Sequence, residues 1–260
     1  MNILLAFKAE PDSGMLAEKD WLAATQDTCG PDTALLRSSP GADEQAAAAL
    51  LLAERRAGCE MVLTALNIGD ERSLHWLRYF SALGFEKTVL LENGADLRFA
   101  PAFIAGQIAD WHYRHGADLI ITGCQSSEGQ NGQTPFLLAE MLGWPCFSQV
   151  TRFALEAPFI SVDQRMESGL RRCRVRLPAV IAVRQCGEVA LPVPGMRQRL
   201  AAAKAEIIRQ PVDIAVPQGR NCLALTRPEQ RRRAKIIDGA TAQEKARILW
   251  RDYLRQRCAP

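Results

Sequence analysis

The densest set of groups that could meet a ligand lies in residues 123–134, GCQSSEGQNGQT. Gly123, Gly129 and Gly132 allow a backbone to approach a ligand closely. Gln125, Ser126, Ser127, Gln130, Asn131, Gln133 and Thr134 offer neutral donors and acceptors without the cost of desolvating a charge. Cys124 and Glu128 complete the run, and Glu128, its one carboxylate, could pair with a ribose hydroxyl or sit in solvent. Free main-chain N–H groups at the start of a following helix can hold a phosphate. No GK[ST] follows as in a Walker loop, and no GxGxxG is present. No GxSxG elbow, Ser/His/Asp set or pair of poised carboxylates is evident elsewhere. These residues read as a nucleotide or phosphate site built to bind rather than to cleave. A polar loop that only caps a helix is the alternative.

The remaining chemistry-bearing residues are less organised. Eight cysteines, at 29, 59, 124, 146, 173, 186, 222 and 258, form no CxxC pair and no zinc-ligand spacing, so buried free thiols are expected. His112 and His115 stand three apart on an expected helix, where a solvated helix end outweighs a metal pair. No metal site is expected.

Short apolar runs alternate with longer mixed segments over the first 185 residues. Strands are expected at 2–7, 60–66, 88–91 and 119–122, and helices at 43–56, 71–83, 100–115 and 133–142, several closed by glycine. Strands of this buried type alternating with helices imply an α/β fold with a parallel sheet covered on both faces. The polar run therefore follows a strand end, where open parallel sheets bind ligands. The ends at Ala6-Phe7-Lys8 and Asn67-Ile68-Gly69-Asp70 are the other candidates. The pattern then changes. Runs at 159–162 and 172–177 flank Ser168-Gly169 as a hairpin, 180–183 is a further strand, and 187–196 is a loop with two prolines. Beyond residue 200 the chain becomes a tail that ends in a basic amphipathic helix over 242–257.

With 260 residues, 48% hydrophobic and 23% charged, the chain can bury a substantial core. No apolar run approaches ~20 residues, so no membrane span is expected. MNILLAFKAEPD lacks a basic leader and meets Asp12 early, so a cytoplasmic protein without a secretory signal is expected. The net charge of +3 conceals an imbalance: residues 1–150 carry 10 Lys+Arg and 19 Asp+Glu, whereas residues 151–260 carry 22 and 10. The basic part suits an acidic partner subunit better than nucleic acid, because aromatic residues do not interleave with it.

Several runs together resemble one known family. They are LLAFK at 4–8, Ser39-Pro40 before an Ala-rich helix, the run at 123–134, PFLLAEMLGWP at 135–145 and VRLPAVIAV at 175–183. The combination is similar to the β subunit of electron transfer flavoproteins, collinear over about residues 1–205, and closest to the bacterial paralogues. The resemblance implies a doubly wound, Rossmann-like domain of the adenine nucleotide alpha hydrolase type, with a β-hairpin insertion and an extended C-terminal arm. It implies two parts, a nucleotide-binding domain over 1–205 and an arm over 206–260 that packs on the partner subunit. It also implies a heterodimer with an α subunit that carries FAD, and a strand-end pocket for AMP, or for a second FAD in bifurcating members. That pocket would comprise Ala6, Ser39, Pro40, Gly41, Ala42, Ile68 and the run from Gly123 to Thr134. A hydrophobic anchor before a proline would dock dehydrogenases or other oxidoreductases; Val193 before Pro194 matches, with Leu191 as the alternative.

This chain departs from the family pattern in places. Ser39 stands where Asn is usual, Glu128 alone remains of an acidic run, and Gln164-Arg165 replaces an Arg-Glu pair. Arg172, Arg174 and Arg176 share one face of a strand, and Arg231, Arg232, Arg233, Lys235, Lys245, Arg247 and Arg251 make the arm basic. The function implied is an electron-carrier subunit that does no bond chemistry of its own. A regulatory adenine-nucleotide-binding module of the universal-stress-protein type is the alternative. A ligase on the same fold needs a pyrophosphate loop that Ala9-Glu10-Pro11-Asp12 does not supply.

Overall fold

A computed structural model describes residues 1–26, 30–127, 129–187, 189–217, 222–226, 235–255 and 257. In chain order its elements are β1 (Asn2–Phe7), β2 (Ala9–Pro11), α1 (Glu18–Ala24), β3 (Ser38–Pro40), α2 (Ala42–Arg56) and β4 (Val62–Gly69). Next come α3 (Leu74–Ala82), β5 (Lys87–Glu92), α4 (Pro101–His115), β6 (Leu119–Gly123) and α5 (Thr134–Leu142). Then follow β7 (Cys146–Glu156), β8 (Phe159–Met166), β9 (Gly169–Arg176), β10 (Ala179–Val183), α6 (Met196–Ala203), β11 (Ile208–Pro211) and α7 (Ala242–Leu249). The chain divides into two compact units, residues 1–224 and 225–260. The first holds one nine-stranded sheet in the order β11-β5-β4-β1-β6-β10-β7-β8-β9. It is parallel from β11 to β7 and antiparallel across β7, β8 and β9, so the expected α/β architecture and hairpin are present.

Alternation along β1 builds both layers. Ile3, Leu5 and Phe7 enter a core shared with α2 and α3, including Leu51, Leu77 and Phe80. Leu4 and Ala6 enter the opposite core, against Ile108 and Trp111 of α4 and Leu138 of α5. Each fully buried Leu or Phe contributes about 1.5–3 kcal/mol, and strands buried on both faces read as unbroken apolar runs. Helix α2 packs closely because Ala46, Ala47, Ala48 and Ala49 are all buried and need little room. Its ends carry Asp43 and Glu44 at the start and Arg55 and Arg56 at the close, matching the helix dipole.

Several short elements differ from the expectations. The stretch 146–156 is a full strand, β7, which the sequence reading omitted. Its face alternates in exposure from Thr151 onward, and the mixed polarity conceals a strand that is wet on one side. Expected helix 71–83 begins with a 3-10 turn at Glu71–Ser73 before α3. β11 lies in the stretch read as the start of the arm, and it pairs in parallel with β5. Among the six described cysteines, all free thiols, only Cys124 is buried, and Cys186 is exposed. In the second unit α7 continues into a π turn at Trp250–Leu254 and has no buried residue.

Candidate functional site

β1 lies between β4 and β6, so the chain winds to one side through β4 and β5 and returns on the other through β6 and β10. The carboxyl ends of β1 and β6 therefore flank a topological switch point, the place where such sheets leave a crevice. Ala6 and Gly123 stand at the ends of β1 and β6 as expected, whereas Ile68, expected after its strand, is the last residue but one of β4. The buried Asn67 side chain donates to the Phe7 carbonyl (2.9 Å) and ties the ends of β1 and β4 together. Ser39 and Pro40 reach this edge because β3 pairs antiparallel with β2, Pro40 opposite Ala9 and Ser39 opposite Glu10.

Three buried carboxyl groups underlie the run after β6. Glu10 Oε2 accepts from the Ser127 N–H (2.9 Å) and hydroxyl, and its Oε1 pairs with Lys8 Nζ at 3.0 Å. Burial alone would raise the Glu10 pKa, but the Ser127 and Lys8 partners outweigh it and hold the group below the usual carboxylate range. Asp43 Oδ2 accepts from the Gln125 N–H (3.2 Å) and its Oδ1 from the Gln185 N–H (2.8 Å), so one side chain of α2 joins the loops after β6 and β10. Glu44, one residue on, is buried between Gly41 and Gly123. Burial first, then the Glu10 and Asp43 charges, push Glu44 up to about 8 against partial relief from main-chain N–H groups of Glu44 and Lys8.

The loop itself is shaped by left-handed turns. Gly129 and Gly132 have φ of 75° and 59°, and a Cβ at Gly132 would stand 3.1 Å from the Cys124 carbonyl. Gln130 adopts a left-handed φ of 41° without being glycine. Its carbonyl accepts from Gln125 Nε2 (3.3 Å), and Arg184 Nη1 donates to Gln125 Oε1 (3.0 Å). Asn131 Oδ1 accepts from the Gln133 N–H (3.0 Å). Helix α5 then starts at Thr134 with no side chain capping it. Cys124 donates to the Ala182 carbonyl and accepts from the Gln149 N–H, each at 3.1 Å; burial pushes its thiol up to about 11, so it packs as a neutral group. Glu128 lies outside the described residues.

The sequence-derived residues thus converge on one edge, with Gly41 and Gly123 meeting across Glu44. Ala42 is exposed at the start of α2, beside this cluster. The carboxyl groups of Glu10, Asp43 and Glu44 and the Arg184 guanidinium were not among the expected site residues. An available signal was an acidic residue just past each apolar strand end or in the first turn of the next helix. Two histidines pack at the end of α4: His112 Nδ1 accepts from the Ala117 N–H (3.1 Å), and His115 stacks on Trp111. No metal-ligating cluster occurs among the described residues.

In the loop before α6, Val193 is a large apolar side chain presented outward. Val193 is 74% exposed, whereas Leu191 packs against the core and Pro194 is buried. Tyr79 Oη donates to the Pro192 carbonyl (3.0 Å) and Arg199 Nε to the Pro194 carbonyl (3.0 Å), which fixes the loop on both sides of Val193.

Comparison with known proteins agrees with this architecture. The electron transfer flavoprotein domain matches residues 38–215. A protein of Escherichia coli (strain K12) that carries the provisional name electron transfer flavoprotein subunit YgcR is 72% identical over 260 residues, covering all of both chains. The electron transfer flavoprotein subunit beta of Mycobacterium bovis is 29% identical over 219 residues, 79% of this chain and 77% of that one. The subunit beta of Bacillus subtilis is 24% identical, over 75% of this chain and 77% of its own. No helix among the described residues is long and apolar enough to cross a membrane.

Proposed function

We propose, from the premise that this chain belongs to the electron transfer flavoprotein family, that it is the beta-like subunit of a heterodimeric electron carrier. It binds an adenine nucleotide, AMP or the adenylate half of FAD, at the switch point. With an α subunit that carries FAD, it passes electrons between dehydrogenases and a redox acceptor. Bound flavin supplies the electron-accepting chemistry; this chain positions, encloses and docks. The free thiols among the six described cysteines suit the reducing cytoplasm.

The observation that carries this reading is the switch-point edge, where Ala6, Ile68 and Gly123 meet a glycine-turned loop that leads into an uncapped helix. Its chemistry fits an adenine nucleotide in a defined direction. The N–H groups of Gln125 and Ser127 are already taken by Asp43 and Glu10, so the first part of the loop is not the phosphate seat. The start of α5 remains for the phosphate, where the helix dipole favours an anion. The base end then falls toward Ala6 and Ile68, away from repulsion between phosphate and the Glu10 and Asp43 carboxylates.

Val193 is the side chain offered to an oxidoreductase, since Leu191 is committed to the core. The acidic-to-basic asymmetry of the chain supports an arm, Lys245, Arg247 and Arg251 among its cations, that meets an acidic face of the α subunit. Arg231, Arg232 and Arg233 of that arm lie outside the described residues. Co-purifying the chain with its α subunit, denaturing the pair and identifying the released nucleotides by mass spectrometry tests the assignment. One FAD and one AMP per pair are expected, and two FAD would put the second in this cleft. Recovery of no nucleotide beyond the α subunit's FAD overturns the assignment of an adenylate to this chain.

A further inference from the structure

One polar atom at this edge is served by no group among the described residues. Glu44 is 6% exposed, and its Oε2 is buried without a hydrogen-bond partner among the described residues. The carboxyl is wedged between two glycines. A Cβ on Gly123 would stand 2.7–2.9 Å from its carboxyl atoms, and a Cβ on Gly41 would overlap Oε2. Gly41 precedes α2 and Gly123 ends β6, so the carboxyl packs against the backbone of the switch-point edge. A buried polar atom left unserved is costly, so a partner delivered by a ligand is strongly favoured.

The surroundings determine what that partner can be. Glu44 faces the Glu10 carboxylate from β2 and the Asp43 carboxylate from its own helix. The nearby cations are committed elsewhere: Lys8 pairs with Glu10 and Arg184 donates to Gln125. The Cys124 thiol, after β6, is neutral. With two carboxylates beside it, Glu44 stays protonated near neutral pH. With the main-chain N–H groups of Glu44 and Lys8 already on the carboxyl, protonation adds one donor, an O–H at the unserved Oε2. Such a donor matches a ring nitrogen of adenine, an acceptor. A phosphate would be repelled by Glu10 and Asp43, whereas the nitrogen lone pair of a base suits the donor of the neutral acid.

We propose that Glu44 is a specificity-determining residue of this edge, whose carboxyl donates from Oε2 to a ring nitrogen of the bound adenine. This rests on the adenine-nucleotide reading above and adds which group of the nucleotide is read and by which side chain. On ionisation the carboxylate offers acceptors only, and the ring nitrogen loses its donor.

The test is calorimetric titration of AMP into the full chain, paired with its α subunit and freed of AMP, at pH 7 and pH 9. Over this range the AMP phosphate keeps its charge. The wild type should lose about tenfold in affinity between the two, the scale of one hydrogen bond to a buried group. E44Q, with a permanent donor and acceptor of the same shape, should bind within a few-fold of the wild type at pH 7 and show no such loss at pH 9. E44A should bind about tenfold more weakly than the wild type at pH 7. Equal AMP affinity of E44A and wild type at pH 7, or the same pH response in wild type and E44Q, overturns the role of Glu44. AMP binding that is present but flat with pH removes only that role. No AMP binding by the wild type at either pH, with no adenylate recovered from the native pair, removes the adenine reading as well.

Discussion

Glu10 and Glu44 carry the same chemical group, and their surroundings drive them in opposite directions. Glu10 has a hydroxyl, an N–H and an ammonium to answer its burial; Glu44 has two carboxylates for company and an unserved oxygen. A carboxyl whose folded pKa is raised weakens the fold as pH climbs from the ordinary carboxylate value towards its folded value, here about 8. Without nucleotide, E44Q should therefore gain stability over the wild type at pH 8 relative to pH 5, on the order of 3 kcal/mol, in urea unfolding at the two pH values. His112 shows the converse sign. Burial lowers its pKa while Asp118 partly opposes the shift, and its Nδ1 accepts the Ala117 N–H, which a protonated ring could not do. Stability tied to His112 is present above its unfolded value of about 6.5 and declines as pH falls below it. The melting-temperature advantage of wild type over His112→Ala should shrink between pH 7.5 and pH 5.5; an advantage that stays constant would contradict the assignment.

At the scale of elements, α2 acts as the clip of the site. Asp43 in its first turn receives an N–H from the loop after β6 and another from the loop after β10. Asp43→Asn leaves a single acceptor oxygen for two N–H groups, so about 1–3 kcal/mol should be lost in chemical unfolding. Hydrogen exchange at the Gln125 and Gln185 amides should quicken while amides of central β1 keep their protection. Gly132→Ala should cost about 1 kcal/mol or more, because a Cβ there meets both a left-handed φ and the Cys124 carbonyl at 3.1 Å. The parallel strands and their covering helices were legible because burial on both faces leaves an unbroken apolar run, as in LIIT at 119–122, and because glycine closes α4 and α5. The polar run was legible because its composition is local. β7 was not, since a half-wet strand mixes polarity, and neither were β2 and β3, three-residue strands that exist through their pairing with each other. The carboxyl cluster was invisible for a different reason. Glu10 and Ser127 are 117 residues apart in sequence, and Asp43 and Gln185 are 142 apart. Only the sheet order brings these pairs together.

At the scale of the molecule, charge and uncovered apolar surface occur together. Residues 225–260 carry 10 Lys+Arg against 4 Asp+Glu. Within them Thr241 Oγ1 caps α7 by accepting the Glu244 N–H (3.2 Å), and Glu244 Oε2 accepts the Ala240 N–H (3.0 Å). Capping defines where the helix starts, yet α7 has no buried residue, and Leu249 and Trp250 are exposed. A helix of this length draws little stability from its own hydrogen bonds and gains most from an apolar face packed against something. An α subunit with an acidic face would supply both the packing and the opposite charge. Exposed charge pairs are screened beyond a Debye length of about 8–10 Å near physiological salt, so such an association weakens as salt rises. The dissociation constant for the α subunit should rise about tenfold between 50 and 300 mM NaCl, mainly through slower association. In the full chain, changing Lys245→Gln, Arg247→Gln and Arg251→Gln together should flatten that slope and leave the unfolding midpoint of residues 1–224 in place. A slope as steep in the triple variant as in the wild type would move the docking charge away from α7. Association indifferent to salt would remove electrostatics from the assembly altogether.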